Sequence, residues 1–150
     1  LDNRMTLHPS KTRYMLFSQT EPLNKDLTIL GQSIQIVHEN GTEKCFKLVG
    51  VHLYERLTWK HHIDKVKTRL AQATALICRS KKFLPKPIRI LLYKALVMSH
   101  LEYCLPVWGG AAKSLIDPLI RTQKKALRVA LGAAYNSHTD PLLQKLNLLN

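Results

Sequence analysis

Hydrophobic positions along this chain change period near residue 57, from alternation to helical spacing. Before that point the patterns are strand-like. Lys11 to Ser18 places Tyr14, Leu16 and Ser18 on one side and Arg13, Met15 and Phe17 on the other, the two-residue period of a strand. Leu27 to His38 reads as two short strands turning at Gly31-Gln32, and Glu39-Asn40-Gly41 is a hairpin-turn signal. The segment EKCFKLVGVHLY puts Phe46, Leu48, Gly50 and His52 on one face with imperfect alternation. It is expected to be one strand with a bulge or two-sided burial, Gly50 either marking the bulge or letting another backbone approach closely.

After residue 57 the period becomes helical. Thr58 is positioned as an N-cap for a helix beginning at Trp59, whose apolar seam is Ile63, Val66, Leu70, Ala73 and Ile77. Phe83 to Pro87 interrupts it, with Pro87 suited to the first turn of the next helix. There Ile88, Leu91, Leu92, Ala95, Leu96 and Ser99 are expected to form the buried stripe, and Pro106 to bend or stop the element before Trp108-Gly109-Gly110. A third helix spans Lys113 to Leu131, lined by Ile116, Ile120, Gln123, Leu127 and Leu131, with Gly132 as its stop. Asp140 caps a last short helix with Pro141 at its first position and Leu142, Leu143, Leu146 and Leu149 inside. The expected fold class is α+β: short antiparallel strands, then an antiparallel three- to four-helix bundle, with a division into 1–57 and 58–150.

Composition sharpens this picture through charge. Among 150 residues there are 23 Lys and Arg against 10 Asp and Glu, a net charge of +13, with a pI near 9.9. Such an excess points to a polyanionic partner, nucleic acid first. The cations are organised: Lys60, Lys65, Lys67, Arg69, Arg79, Lys81, Lys82, Lys86, Arg89 and Lys94 follow the strands, with Asp64 the one acid among them. Arg121, Lys124, Lys125 and Arg128 form a second stripe opposite the apolar face of the third helix. Trp59 and Tyr93 lie among these charges as candidates to stack on a base or sugar. The competing reading is that long basic stems solubilise amphipathic helices and that Trp59 belongs to a core.

Catalytic chemistry is not legible in the same way. Two-metal catalysis needs neighbouring carboxylates, and the ten acids are scattered. His61 and His62 are adjacent, so on a helix they diverge by about 100° and cannot chelate together; a solvated or phosphate-facing pair is expected. No P-loop, Gly-x-Ser-x-Gly or dinucleotide loop occurs. Cys45, Cys78 and Cys104 are an odd number without metal spacing, and are expected to be buried free thiols of a reducing compartment, cytosol or nucleus. No run is long enough for a membrane span, and the opening LDNRMTLHPSK reads as the start of a fragment.

In order, NRMTLHPSKTRYMLF, KLVGVHLYERLTWKHHI, LLYKALVMSHLEYCLPVWGG and LIRTQKKALRVALG resemble the C-terminal stretch of reverse transcriptases of non-LTR (LINE-type) retrotransposons. That family's pattern runs Asn-x-Leu-x-Leu-Asn-x-x-Lys-Thr, then a Leu-Gly-Val strand with Leu-x-Trp-x-x-His-Ile, then helices ending near Trp-Gly. The chain departs from it at His8-Pro9, where Asn-x is usual, and at Val49, where Leu is usual.

The resemblance implies that residues 1–57 finish a polymerase palm and 58–150 form the thumb and following helices. Lys11 then matches a lysine acting as general acid on the pyrophosphate leaving group, or alternatively a phosphate contact. Leu48, Val49, Gly50 and Val51 match a primer-grip strand. Trp59, Lys60, His62, Lys67, Lys81, Lys82, Arg89 and Tyr93, with Arg121, Lys124, Lys125 and Arg128, become candidate contacts to a template–primer duplex. The family's catalytic aspartates match no residue here, so the chain alone is expected to be inactive. Magnesium is expected only in the full-length polymerase, with no cofactor or metal in this chain. The implied partners are an RNA–DNA or other nucleic-acid duplex and the missing upstream polymerase portion, with no membrane, in a ribonucleoprotein of the nucleus or cytoplasm. A non-catalytic basic helical nucleic-acid-binding module is the alternative.

Overall fold

A computed structural model describes residues 8–18, 26–37 and 45–145. The chain divides into two compact units, Leu1–Trp59 and Lys60–Asn150.

In the first unit a single 3₁₀ turn, Pro9–Lys11, leads into β1 (Arg13–Tyr14). Strands β2 (Leu27–Ile29) and β3 (Gln32–Ile36) form a hairpin, pairing Leu27 with Ile34 and Ile29 with Gln32. Its two turn residues, Leu30 and Gly31, both have positive φ (51° and 73°), the type I′ geometry that matches strand twist. β1 pairs with β3 in parallel, Tyr14 opposite Ile36, so the strands are not all antiparallel as expected. The predicted strand from Lys11 to Ser18 shrinks to two residues because only Arg13 and Tyr14 find a ladder partner.

The largest revision in this unit concerns KLVGVHLY. It is not one bulged strand but a second hairpin, β4 (Phe46–Leu48) and β5 (Val51–Leu53), with Phe46 opposite Leu53 and Leu48 opposite Val51. Val49 (φ 45°) and Gly50 (φ 85°) make its turn. A β-branched residue in left-handed backbone is costly, which is why the sequence disguises the turn. Ile34, Val37 and Val51 form the small core. The Asn40-Gly41 turn lies outside the described residues.

The second unit is helical. α1 runs Lys60–Ser80, one residue later than expected, because Trp59 sits in left-handed backbone (φ 57°). Its seam is as predicted: Ile63, Val66, Leu70, Ala73 and Ile77 are all buried. α5 occupies Lys113–Leu131 and packs most extensively on α1. Its buried face is Leu119, Ala126, Leu127 and Ala130, rotated from the expected line so that Ile120 is exposed. Gly132 ends it at φ 69°, its N–H reaching the carbonyls of Arg128 and Val129 and that of Ala133 reaching Arg128 O at 3.0 Å. This is the left-handed stop that glycine favours.

Between them α2 (Lys86–Tyr93) runs through a π-helical turn (Lys94–Met98) into α3 (Ser99–Glu102). Cys104 (φ 52°) breaks the rod before α4 (Leu105–Trp108), which has Pro106 in its first turn. The buried line here is Arg89, Tyr93 and Val97, not the predicted stripe; Leu91 is 62% exposed and Ile88 43%. The reason is the polarity of the neighbour. At the end of α5 Val129 O, which already accepts from Gly132 N–H at 3.2 Å, also accepts from Arg89 Nη1 at 3.4 Å, where a cation complements the negative helix terminus.

Trp108 is buried, donates from Nε1 to Tyr103 O at 2.9 Å and lies 5.6 Å from the His62 ring, linking α4 to α1. α6 (Asp140–Lys145) includes Asp140 as its first residue, and buried Thr139 precedes it, so Asp140 is not the cap. Leu142 and Leu143 are half-buried; Leu146 and Leu149 lie outside the described residues. Cys78 is exposed and Cys45 and Cys104 half-buried, so the expectation of buried thiols fails. Cys78 follows inward-facing Ile77 by one residue, which turns it outward.

Two expectations follow from this core. Leu70→Ala removes a fully buried side chain from the α1 seam and should cost about 2–5 kcal/mol in chemical denaturation. Burial pushes the Tyr93 hydroxyl above its ordinary pKa of 10.0; the nearby Gln123 amide opposes this and the Glu102 carboxylate reinforces it. Gln123 Nε2 is directed instead to Met98 Sδ at 3.6 Å, so the hydroxyl has no full hydrogen bond. The raised value makes Tyr93 neutral in stability below the ordinary pKa and destabilising as pH rises past it, because the unfolded phenol ionises first. Urea midpoints measured from about pH 8 to about pH 11 should fall, and Tyr93→Phe should flatten that fall.

Candidate nucleic-acid interface

The seam that buries one side of α1 and α5 dictates what the other sides display. On α5, Arg121, Lys124, Lys125 and Arg128 fall at spacings of three and four and so share one face. They line a cleft of about 310 Å³ together with Thr122 and Tyr135. Two features brace its far wall: Gly132 turns the chain back, and Arg128 Nε donates to Ser137 O at 2.9 Å. Among the described residues no acid lines this cleft, so its field is of one sign and suits phosphate.

A second depression of about 340 Å³ lies between α1 and α5 and shares Thr122 and Lys125 with the first. Ala71, Thr74, Ala75 and Cys78 form its α1 wall and Val129 completes it. Small side chains keep this wall low, so a backbone could approach the helices closely. A third cleft, about 360 Å³, is lined mainly by Leu101, Leu105, Trp108, Ile116, Leu119 and Ile120, with Glu102 and Gln123. It is apolar and carries an acid, and does not suit a polyanion.

Lys81 stands in the turn after α1 near the end of α5: a β-carbon placed on Gly132 would be 4.0 Å from its Cε. Lys82, Lys60 and Lys67 are exposed, the last two on the N-terminal half of α1. Three candidates are not displayed. Tyr93 is fully buried, Arg89 caps α5 from within, and His62 packs on Trp108 while His61 is the exposed member of the pair. A base cannot reach Tyr93 in this packing.

In the first unit Lys11 is exposed at the end of the 3₁₀ turn, and Trp59 is half-buried. Leu48 and Val49 are exposed at the tip of the β4–β5 hairpin with Gly50, while Val51 is buried. Among the described residues no three His, Cys, Asp or Glu side chains converge as metal donors, and no helix is long and apolar enough to cross a membrane. Tyr135, 80% exposed on the cationic cleft, is absent from the sequence-derived set. The available signal was an aromatic in the loop AAYNS, just past the stop of a basic helix.

Comparison with known proteins places these features in a lineage. The chain is 29% identical over 109 residues to the RNA-directed DNA polymerase from mobile element jockey of Drosophila melanogaster, covering 70% of this chain and 12% of that protein. It is 30% identical over 107 residues to the probable RNA-directed DNA polymerase from transposon X-element of the same fly, covering 68% and 12%. The jockey polymerase of Drosophila funebris is 30% identical over 118 residues, covering 75% and 12%. No protein-family model matches the chain, and no solved structure does. The chain therefore spans about an eighth of the length of these relatives. The resemblance carried by its motifs and these identities agree: the chain is related to the reverse transcriptases of non-LTR mobile elements and corresponds to one segment of them.

Proposed function

We propose that this segment contributes primer–template binding to an RNA-directed DNA polymerase, the helical unit holding the sugar–phosphate backbone of the duplex. The observation that carries the reading is the α5 cleft, walled by Arg121, Lys124, Lys125 and Arg128 with no acid among the described residues. Cations in such an arrangement displace counterions from the phosphates and bind with little regard for sequence, as a clamp must when any template passes. The exposed tip of the β4–β5 hairpin, Leu48 to Gly50, is assigned to the primer end. Lys11, exposed on its turn, is assigned to the departing pyrophosphate, where an ammonium stabilises developing charge and can release a proton. The aspartates and magnesium that perform nucleotidyl transfer belong, in this reading, to the remainder of a complete polymerase.

Three measurements test the proposal. A labelled RNA–DNA hybrid should bind the chain at low salt, with log affinity falling against log salt at a slope of roughly −3 to −4 if all four α5 cations engage phosphate. Lys124→Glu with Lys125→Glu should weaken binding and make that slope shallower by about 2. Lys81→Glu with Lys82→Glu should weaken binding in the same direction. Unmeasurable hybrid binding at low salt, or binding indifferent to salt, would overturn the reading.

A further inference from the structure

We propose that the cleft beside α5 takes an unpaired nucleotide, its base stacked on Tyr135 and its phosphates on Arg121, Lys124 and Lys125. The inference rests on the reading that this face meets nucleic acid, and adds to the duplex a second form that the cleft accepts: an unpaired nucleotide.

Three observations carry it. Tyr135 is 80% exposed and shares the cleft with the cations. A large aromatic is thus held in water among charges. Along a paired duplex the interior base faces are already stacked on one another, so away from its ends such a ring finds a partner where a base is unpaired.

The ring is also presented from a braced loop. Gly132 reverses the chain, Ala133 N–H bonds Arg128 O at 3.0 Å, and Ser137 N–H bonds Ala134 O at 3.0 Å. Arg128 Nε then pins the far side of the loop at Ser137 O. Part of the Arg128 guanidinium therefore holds the platform in place, which leaves the other three cations as the principal phosphate contacts.

The third observation is size. About 310 Å³ is the lower end of a small-ligand pocket and suits one nucleotide, whereas a duplex would lie across it. Thr122 donates its hydroxyl to Pro118 O at 3.0 Å, within its own helix. Its hydroxyl proton is thus engaged, and stacking rather than hydroxyl donation holds the base.

The test uses the whole chain with short single strands carrying 2-aminopurine, in separate DNA and RNA arms, beside a blunt RNA–DNA hybrid. Wild-type protein should quench the 2-aminopurine fluorescence of the single strand. Tyr135→Ala should abolish the quenching and weaken single-strand binding at least about fivefold, and Tyr135→Phe should retain both. Hybrid affinity should stay within about twofold in both variants, since phosphate contacts along its length carry that binding. Equal quenching and affinity in wild type and Tyr135→Ala would overturn the inference, as would equal losses for single strand and hybrid. Intact hybrid binding without a Tyr135 effect sinks this inference alone. Absence of all binding sinks the duplex reading with it. Quenching in both DNA and RNA arms shows a site that reads base and phosphate, while quenching in one arm adds a sugar contact.

Discussion

The packing of α1 on α5 is the constraint to which the helical unit answers. Leu70 and Ile77 from one helix, and Ala126, Leu127 and Ala130 from the other, are withdrawn completely from solvent. Burial of this seam is the main favourable term, since isolated helices of this length are marginal in water. Its geometry then sets the chemistry outside. Once 63, 66, 70 and 77 face inward on α1, and 119, 126, 127 and 130 on α5, helical spacing leaves Lys60, Lys67, Arg121 and Lys125 directed to solvent. The alanines at 126 and 130 add a further effect. Small side chains let two helices approach closely, and the groove between α1 and α5 is shallow enough to adjoin the cationic cleft.

Where the sequence alone sufficed, the determinants were local. The α1 seam, both bounds of α5 and the Gly132 stop each depend on residues within a few positions and appear as read, while the turn expected at Gly31-Gln32 falls one residue earlier, at Leu30-Gly31. Where the sequence misled, a distant partner decided. The parallel pairing of β1 with β3 joins residues more than twenty positions apart in the chain and leaves no local pattern. α2 turned Arg89 inward because the neighbouring surface is the negative terminus of a helix, a fact contained in α5 rather than α2. Val49-Gly50 hid its turn behind good strand alternation, since valine is a poor advertisement for left-handed backbone.

The candidate interface shows the same division. The four α5 cations were legible because their spacing alone places them on one face, and a tertiary contact only had to choose which face was inside. The aromatic partner was not legible. Tyr93 sits at helical spacing among cations and looks like a platform, yet that spacing carries it to the core. Tyr135 belongs to a loop with no period, and only the pinning of that loop by Arg128 brings it to the cleft.

The π-helical turn at Lys94–Met98 has a consequence for how this segment can change over generations. Buried positions along the rod fall at 89, 93 and 97, four apart, and four residues of α-helix overshoot a full turn by about 40°. A wider turn, with Ser99 N–H reaching back to Lys94 O, absorbs the drift. Such a turn is an α-helix holding one additional residue. Losing one residue between 94 and 98 would restore regular winding and, because the wide turn already absorbs that residue, leave the phase of the downstream helix, Trp108 included, nearly unchanged. The same deletion in the regular winding of α2 would rotate everything after it by about 100°. The wide turn is thus the place on this rod where descent can change the length of the gene by one codon at the least cost to the packing beyond it.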